Sequence, residues 1–186
     1  LRSGLFLYRT EFGTSQDGID TVLNTAKDLV CGDVYIIQGQ SNAEAWTDQR
    51  VIHPYNSPWL RSFGTPTTNK DRARDVVWGN ALSFNGGENH QHLQIGYWGV
   101  ELGKLLIEQH KIPICIINGA QGGTRIDQHQ RNDLDPTDIN TIYGRLLWRL
   151  QQAKLTHGVR AVLWHQGEND QGAAGATGAY GWVNYQ

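Results

Sequence analysis

Three short polar clusters hold the residues able to do chemistry: Gln38-Gly39-Gln40-Ser41-Asn42, Asn118-Gly119-Ala120-Gln121-Gly122-Gly123-Thr124-Arg125 and His165-Gln166-Gly167-Glu168-Asn169-Asp170. Ser41, preceded by Gly39 and leading into a short helical turn at Asn42-Ala43-Glu44, has the setting of an acyl-transfer nucleophile. Its hydroxyl would stand clear of the backbone, and its own amide would meet the negative charge of a tetrahedral intermediate. The Gly122-Gly123 pair can supply a second amide, and the third cluster adds the side-chain amides of Gln166 and Asn169. Glu168 and Asp170 are carboxylates suited to orienting a histidine. One oxyanion donor is worth about 3 kcal/mol of transition-state stabilisation, so Gly122 and Gly123 should resist bulky substitution.

Each cluster follows an apolar run. Val34-Tyr35-Ile36-Ile37, Ile114 to Ile117 and Val159 to Trp164 suit strands buried on both faces. Between the first two runs, Trp98, Leu102, Leu105, Leu106 and Gln109 form a helical stripe that ends before Pro113. Between the second and third, Ile142, Tyr143, Leu146, Leu147 and Leu150 repeat at helical spacing towards His157-Gly158, where glycine suits a left-handed cap. Strand and helix in alternation make βαβ units, which predict a three-layer α/β fold with a parallel sheet between helices. Ligands of such sheets bind beyond the carboxyl ends of the strands, so the three clusters should share one rim.

The remaining chain is less regular. Residues 45 to 94 carry Pro54, Pro58, Pro66 and aperiodic aromatics, including Phe63 and Phe84, and read as one long decorated connection. Trp46, Tyr55, Trp59 and Trp78 are candidates equally for a sugar-stacking cleft and for core. Ahead of Cys31, Leu5 to Arg9 and Thr21 to Leu23 read as extended pieces around a loop from Gly13 to Gly18, an edge hairpin or the tail of a preceding β module.

Composition narrows the classes. A chain of 186 residues favours one domain with one core, and 39% hydrophobic against 18% charged residues marks a folding chain. With a net charge of -2 and scattered basic residues, no footprint for nucleic acid or an anionic membrane surface emerges. No run reaches the roughly 18 apolar residues of a membrane span. Leu1 in a chain with no methionine points to a mature product or a fragment. Cys31 and Cys115 lack metal-ligand spacing and read as buried free thiols in preference to a disulfide. His90-Gln91-His92 has the alternation of a metal pair but lacks a third ligand, so a solvated loop is preferred. Arg125 and Asp127 could bind substrate or brace their loop, with bracing preferred.

The ordered set Gly39-Gln40-Ser41-Asn42, Gly122-Gly123-Thr124 and Trp164-His165-Gln166-Gly167-Glu168 resembles the SGNH (GDSL-like) hydrolases, within them the sialate O-acetylesterase and acetylxylan esterase branch. The resemblance covers roughly Cys31 to Asp170. It implies an α/β/α flavodoxin-like sandwich and hydrolysis of O-acetyl esters on sugars without metal or cofactor. Ser41 would be the nucleophile and Glu168 the carboxylate behind a histidine. The Ser41 and Gly122 amides, with Gln166 preferred over Asn169, would form the oxyanion hole. Gln40, Asn42, Thr124, Arg125 and His165 would line the substrate. The partner implied is an acetylated carbohydrate and the compartment secreted or periplasmic.

The family's histidine lies in an Asp-x-x-His block after the third strand, and no such block follows Asp170 here. His165 lies inside the third motif and reads as packing or substrate contact. The domain reading is therefore an N-terminal extended segment, 1–30, and an esterase domain, 31–186, lacking its last segment. Two rivals remain: an inactive sugar-binding relative, and an SGNH-type lipase or thioesterase.

Overall fold

The computed structural model describes residues 1–44, 51–65, 76–83 and 93–171. In chain order the strands are β1 (Tyr8–Gln16), β2 (Ile19–Leu29), β3 (Asp33–Gly39), β4 (Leu60–Phe63), β5 (Trp78–Asn80), β6 (Ile114–Asn118) and β7 (Val159–His165). The helices are α1 (Ser41–Glu44), α2 (Tyr97–His110), α3 (Ile142–Gln152) and α4 (Glu168–Gln171), with a 3-10 turn at Ile126–His129. None of the described helices is long and apolar enough to cross a membrane.

The main sheet has the order β5-β4-β6-β3-β7, parallel except for β5. Val100 and Ile107 of α2 pack on one face with Ile37, Leu60, Ile114 and Ile116. Leu146, Leu150 and Ala153 close the other face over Val34, Ile36, Phe63, Cys115 and Ile117. The expected three-layer α/β sandwich is therefore present.

Four local expectations need correction. The stretch read as a single irregular connection contains β4 and β5, and β4 lies between β5 and β6. The fully buried face of α2 is Gly99, Val100, Gly103 and Ile107; Trp98, Leu102 and Leu106 of the expected stripe flank it, partly buried against the core, while Leu105 is exposed. Glycine sets that face, since a Cβ on Gly103 would overlap Leu60. The second crossover helix, α3, stops at Gln152, and the left-handed residue beyond it is Lys154, not Gly158. β7 hydrogen-bonds only β3 among the described strands, leaving Val162 and Trp164 exposed rather than buried on both faces.

The N-terminal pieces form a hairpin that pairs with itself and not with the main sheet. The residues read as a loop from Gly13 are mostly strand, and the turn is Asp17-Gly18 alone. Both have positive φ, 53° and 79°, as a type I′ hairpin turn requires. Both cysteines are unpaired; Cys115 is buried and Cys31 only half-buried. Tyr55 and Trp59 pack against the core, whereas Trp78 is exposed and meets Phe63 with ring centroids 5.0 Å apart and planes tilted by 57°. Trp46, Phe84, His90 and His92 lie outside the described residues.

Candidate active site

The parallel register sets the rim. Gly39 pairs with His165, and Ile37 with Asn118, so β3 and β7 end level, β6 stops two residues short, and all three deliver their clusters to one rim. Gly39 has φ +139°, and a Cβ there would overlap the His165 carbonyl, so only glycine lets β3 turn into α1 beside β7. Ser41 begins α1 and is exposed, and no described side chain hydrogen-bonds its hydroxyl.

Gln40, directly before Ser41, is buried. Its side-chain oxygen accepts from Gln166 Nε2 and from the Gly167 amide, both at 3.2 Å, and from the Asn169 amide at 3.3 Å. Asn42 donates its side-chain amide to Glu168 Oε1. His165 Nε2 lies 3.2 Å from the same oxygen. Desolvation pushes the Glu168 carboxyl up, but its own backbone amide, Asn42 and His165 together outweigh that and hold it below the usual range. The carboxylate is thus ionised beside the nucleophile turn.

The second cluster is sewn to the first. The Gly119 amide donates to Ile37 O at 2.9 Å and the Gln121 amide to Gly39 O at 3.0 Å. The point where a Cβ of Gly122 would sit is 3.6 Å from Ser41 Cβ and 2.9 Å from Glu44 Oε2. Burial pushes the Glu44 carboxyl above its ordinary value, against the nearby Gly122 amide and the charge of Arg145, which draw it down.

Thr124 ties the second cluster to the third. Its hydroxyl donates to Gln121 O at 2.6 Å, so His129 Nε2, 2.8 Å away, must be the donor to it. His129 Nδ1 is then a bare acceptor, buried without a partner, and desolvation holds this imidazole below its ordinary pKa. Thr124 O accepts from Gln166 Nε2 at 3.1 Å. Asp170, also buried, takes a further bond from Gln166 Nε2 and one from the Ile126 amide at 3.1 Å.

The sequence-derived candidates are therefore brought together, with differences in what is free. Gln166 spends its side-chain donors on Gln40, Thr124 and Asp170. The Asn169 side chain makes no hydrogen bond among the described residues. Arg125 forks onto Asp127 through two 3.0 Å bonds, the bracing geometry expected for this pair. Sequence reasoning gave Glu44, Arg145 and His129 no role. Glu44 had a signal in its spacing, one helical turn after Ser41; Arg145 and His129 had none.

Below the rim, the fully buried Arg149 gives Nη1 to Asn118 O and Nη2 to Phe63 O, both at 2.7 Å, clamping the ends of β6 and β4. A cavity at the opposite end of the sheet, bordered by Asp28, Gly32, Asp33, Arg61, Trp78 and Pro113, shares no residue with the clusters.

A search of curated proteins finds no match. Among solved structures, an Arabidopsis thaliana protein is 18% identical with a TM-score of 0.51, over 74% of this chain and 58% of that one. A carbohydrate acetylesterase from Xanthomonas citri is 21% identical with a TM-score of 0.47, over 83% of this chain and 36% of that one. The chain thus spans well under two thirds of either relative's length. The family model described as carbohydrate esterase, sialic acid-specific acetylesterase matches residues 31–182. The chain belongs to that carbohydrate esterase family.

Proposed function

We propose that the chain removes O-acetyl groups from carbohydrates of the sialic acid or xylan type through an acyl-enzyme on Ser41. The observation that carries this is one rim on which an exposed serine, the Gly122 loop with the place of its Cβ 3.6 Å from Ser41 Cβ, and an ionised carboxylate bonded to the neighbouring Asn42 lie together. Ser41 Oγ attacks the acetyl carbonyl and its proton passes to an imidazole. The sugar hydroxyl leaves with that proton, and water then releases acetate by the reverse sequence of transfers. The Ser41 and Gly122 amides and the Asn169 side chain meet the oxyanion. Asn169 is preferred to Gln166 because the latter's donors are already spent.

Glu168 orients the imidazole, which we assign to a histidine outside the described residues. The 3.2 Å contact of His165 with Glu168 favours a second reading in which His165 itself is the base. His165→Asn decides between them: loss of turnover comparable to Ser41→Ala selects His165, and a loss below about tenfold returns it to substrate contact.

The primary test is Ser41→Ala in the full-length protein, assayed by acetate release from acetylated xylan, O-acetyl sialic acid and 4-nitrophenyl acetate. Turnover should fall by on the order of 10³-fold or more. Unchanged turnover would refute the assignment.

A further inference from the structure

We propose that Thr124 is a positioning residue for acyl transfer: its hydroxyl, oriented by His129, pins the Gln121 carbonyl and so aims the Gly122 N–H of the same peptide unit as an oxyanion donor. This rests on Ser41 being the nucleophile and on the Gly122 amide meeting its oxyanion.

A trans peptide is planar, with its carbonyl and its N–H pointing to opposite sides. The unit joining Gln121 to Gly122 is trans, so fixing Gln121 O fixes the direction of the Gly122 N–H. The need for such a hold comes from the glycines. Rotation of this plane is set by ψ of Gln121 and φ of Gly122, and glycine restrains φ least of all residues. Gly123, next along, takes φ +73° with no atom near the place of a Cβ. The rest of Gln121 is anchored: its amide donates to Gly39 O at 3.0 Å, at the end of β3, and its side-chain oxygen accepts from Arg145. The carbonyl is the part left to hold, and the Thr124 hydroxyl takes it at 2.6 Å.

A threonine hydroxyl can bond a carbonyl three residues back in many turns, and by itself it is a free rotor. Here His129 fixes it. Nε2 stands 2.8 Å from Thr124 Oγ1 and donates to it, which directs the single hydroxyl proton at Gln121 O. The imidazole meets Trp164 of β7 edge-on, with ring centroids 5.1 Å apart, and is itself buried. Imidazole N–H, hydroxyl and peptide form one chain in which each hydrogen bond polarises the next, and the last donor in that chain is the Gly122 N–H. Thr124 O accepts Gln166 Nε2 at 3.1 Å, so the turn is also seated on the third cluster. Thr124 is only 2% exposed, so its side chain offers no surface to a sugar and acts through the Gly122 amide instead.

The test compares Thr124→Val, Thr124→Ser, His129→Leu and Ser41→Ala in the full-length protein with 4-nitrophenyl acetate. This ester carries no sugar, so a fall in kcat on it cannot come from a lost sugar contact. Removing an oxyanion donor costs about 10²- to 10³-fold in kcat, which is the ceiling for misaiming one. Thr124→Val, which keeps the shape and removes the hydroxyl, should lower kcat by roughly 10- to 100-fold with KM within about twofold of wild type. Thr124→Ser, which keeps the hydroxyl, should recover most of that loss. A Thr124→Val protein with kcat within about threefold of wild type, beside an inactive Ser41→Ala, overturns the positioning role alone. Thr124→Ser falling as far as Thr124→Val overturns it too. Should Thr124→Val not fold, His129→Leu carries the test, since it frees the hydroxyl to rotate: a fall in kcat of about threefold or more at constant KM supports the role, and wild-type kinetics refute it. If Ser41→Ala stays active, the nucleophile assignment fails first and the inference with it.

Discussion

The side-chain oxygen of Gln40 accepts the backbone amide of Gly167 at 3.2 Å, joining the carboxyl ends of β3 and β7. The same oxygen holds Gln166 and Asn169. Gln40→Leu would leave these donors without their acceptor in a site only 2% exposed. We expect a loss of about 2–4 kcal/mol in urea unfolding, and a fall in turnover among the molecules that remain folded.

Two rim glycines separate conformation from collision. Gly39→Ala drives a Cβ into the His165 carbonyl at φ +139° and should abolish soluble expression. Gly123→Ala meets no atom, and its left-handed φ alone should cost about 1 kcal/mol, read as a small drop in Tm.

His129 should make stability fall in mild acid. Its folded pKa lies below the ordinary 6.5, so the folded state binds fewer protons than the unfolded chain between those two values. Its contribution is complete above pH 6.5 and is lost as pH falls through the folded pKa. His129→Gln, which keeps a donor for Thr124, should show a smaller drop in unfolding free energy between pH 7.5 and pH 5 than wild type.

The two thiols should differ in reactivity. Burial pushes Cys115 up to about 12, while Cys31 is half-buried at the base of the hairpin. Iodoacetamide at pH 8 should label Cys31 in the native protein and reach Cys115 only after unfolding, as peptide mass mapping would show.

The strands that carry the chemistry were legible because Val34 to Ile37 and Ile114 to Ile117 are apolar without interruption, and each runs straight into glycine and polar residues. β4 was not, because Leu60-Arg61-Ser62-Phe63 is too short to show a period and owes its strand to β6 and β5 beside it. The stripe of Trp98, Leu102 and Leu106 marks the side of α2 that meets the core, but its centre is Gly99 and Gly103, whose lack of side chain is what admits Ile37 and Leu60. At the site, motif order identified the serine and its neighbours. The choice between Gln166 and Asn169 depends on which amide is already bonded, and no spacing encodes that. Glu44 reads as an ordinary helix-turn carboxylate until Gly122 and Arg145, from distant segments, are seen around it.

Gln40 also sets how the rim responds to its medium. The clip between β3 and β7 is a neutral amide oxygen meeting neutral N–H groups, and Gln40 itself is buried. Counter-ions weaken attraction between exposed charges, and this junction has none to weaken. This hold of Gln40 on the third cluster is therefore indifferent to ionic strength, in dilute buffer as in brine.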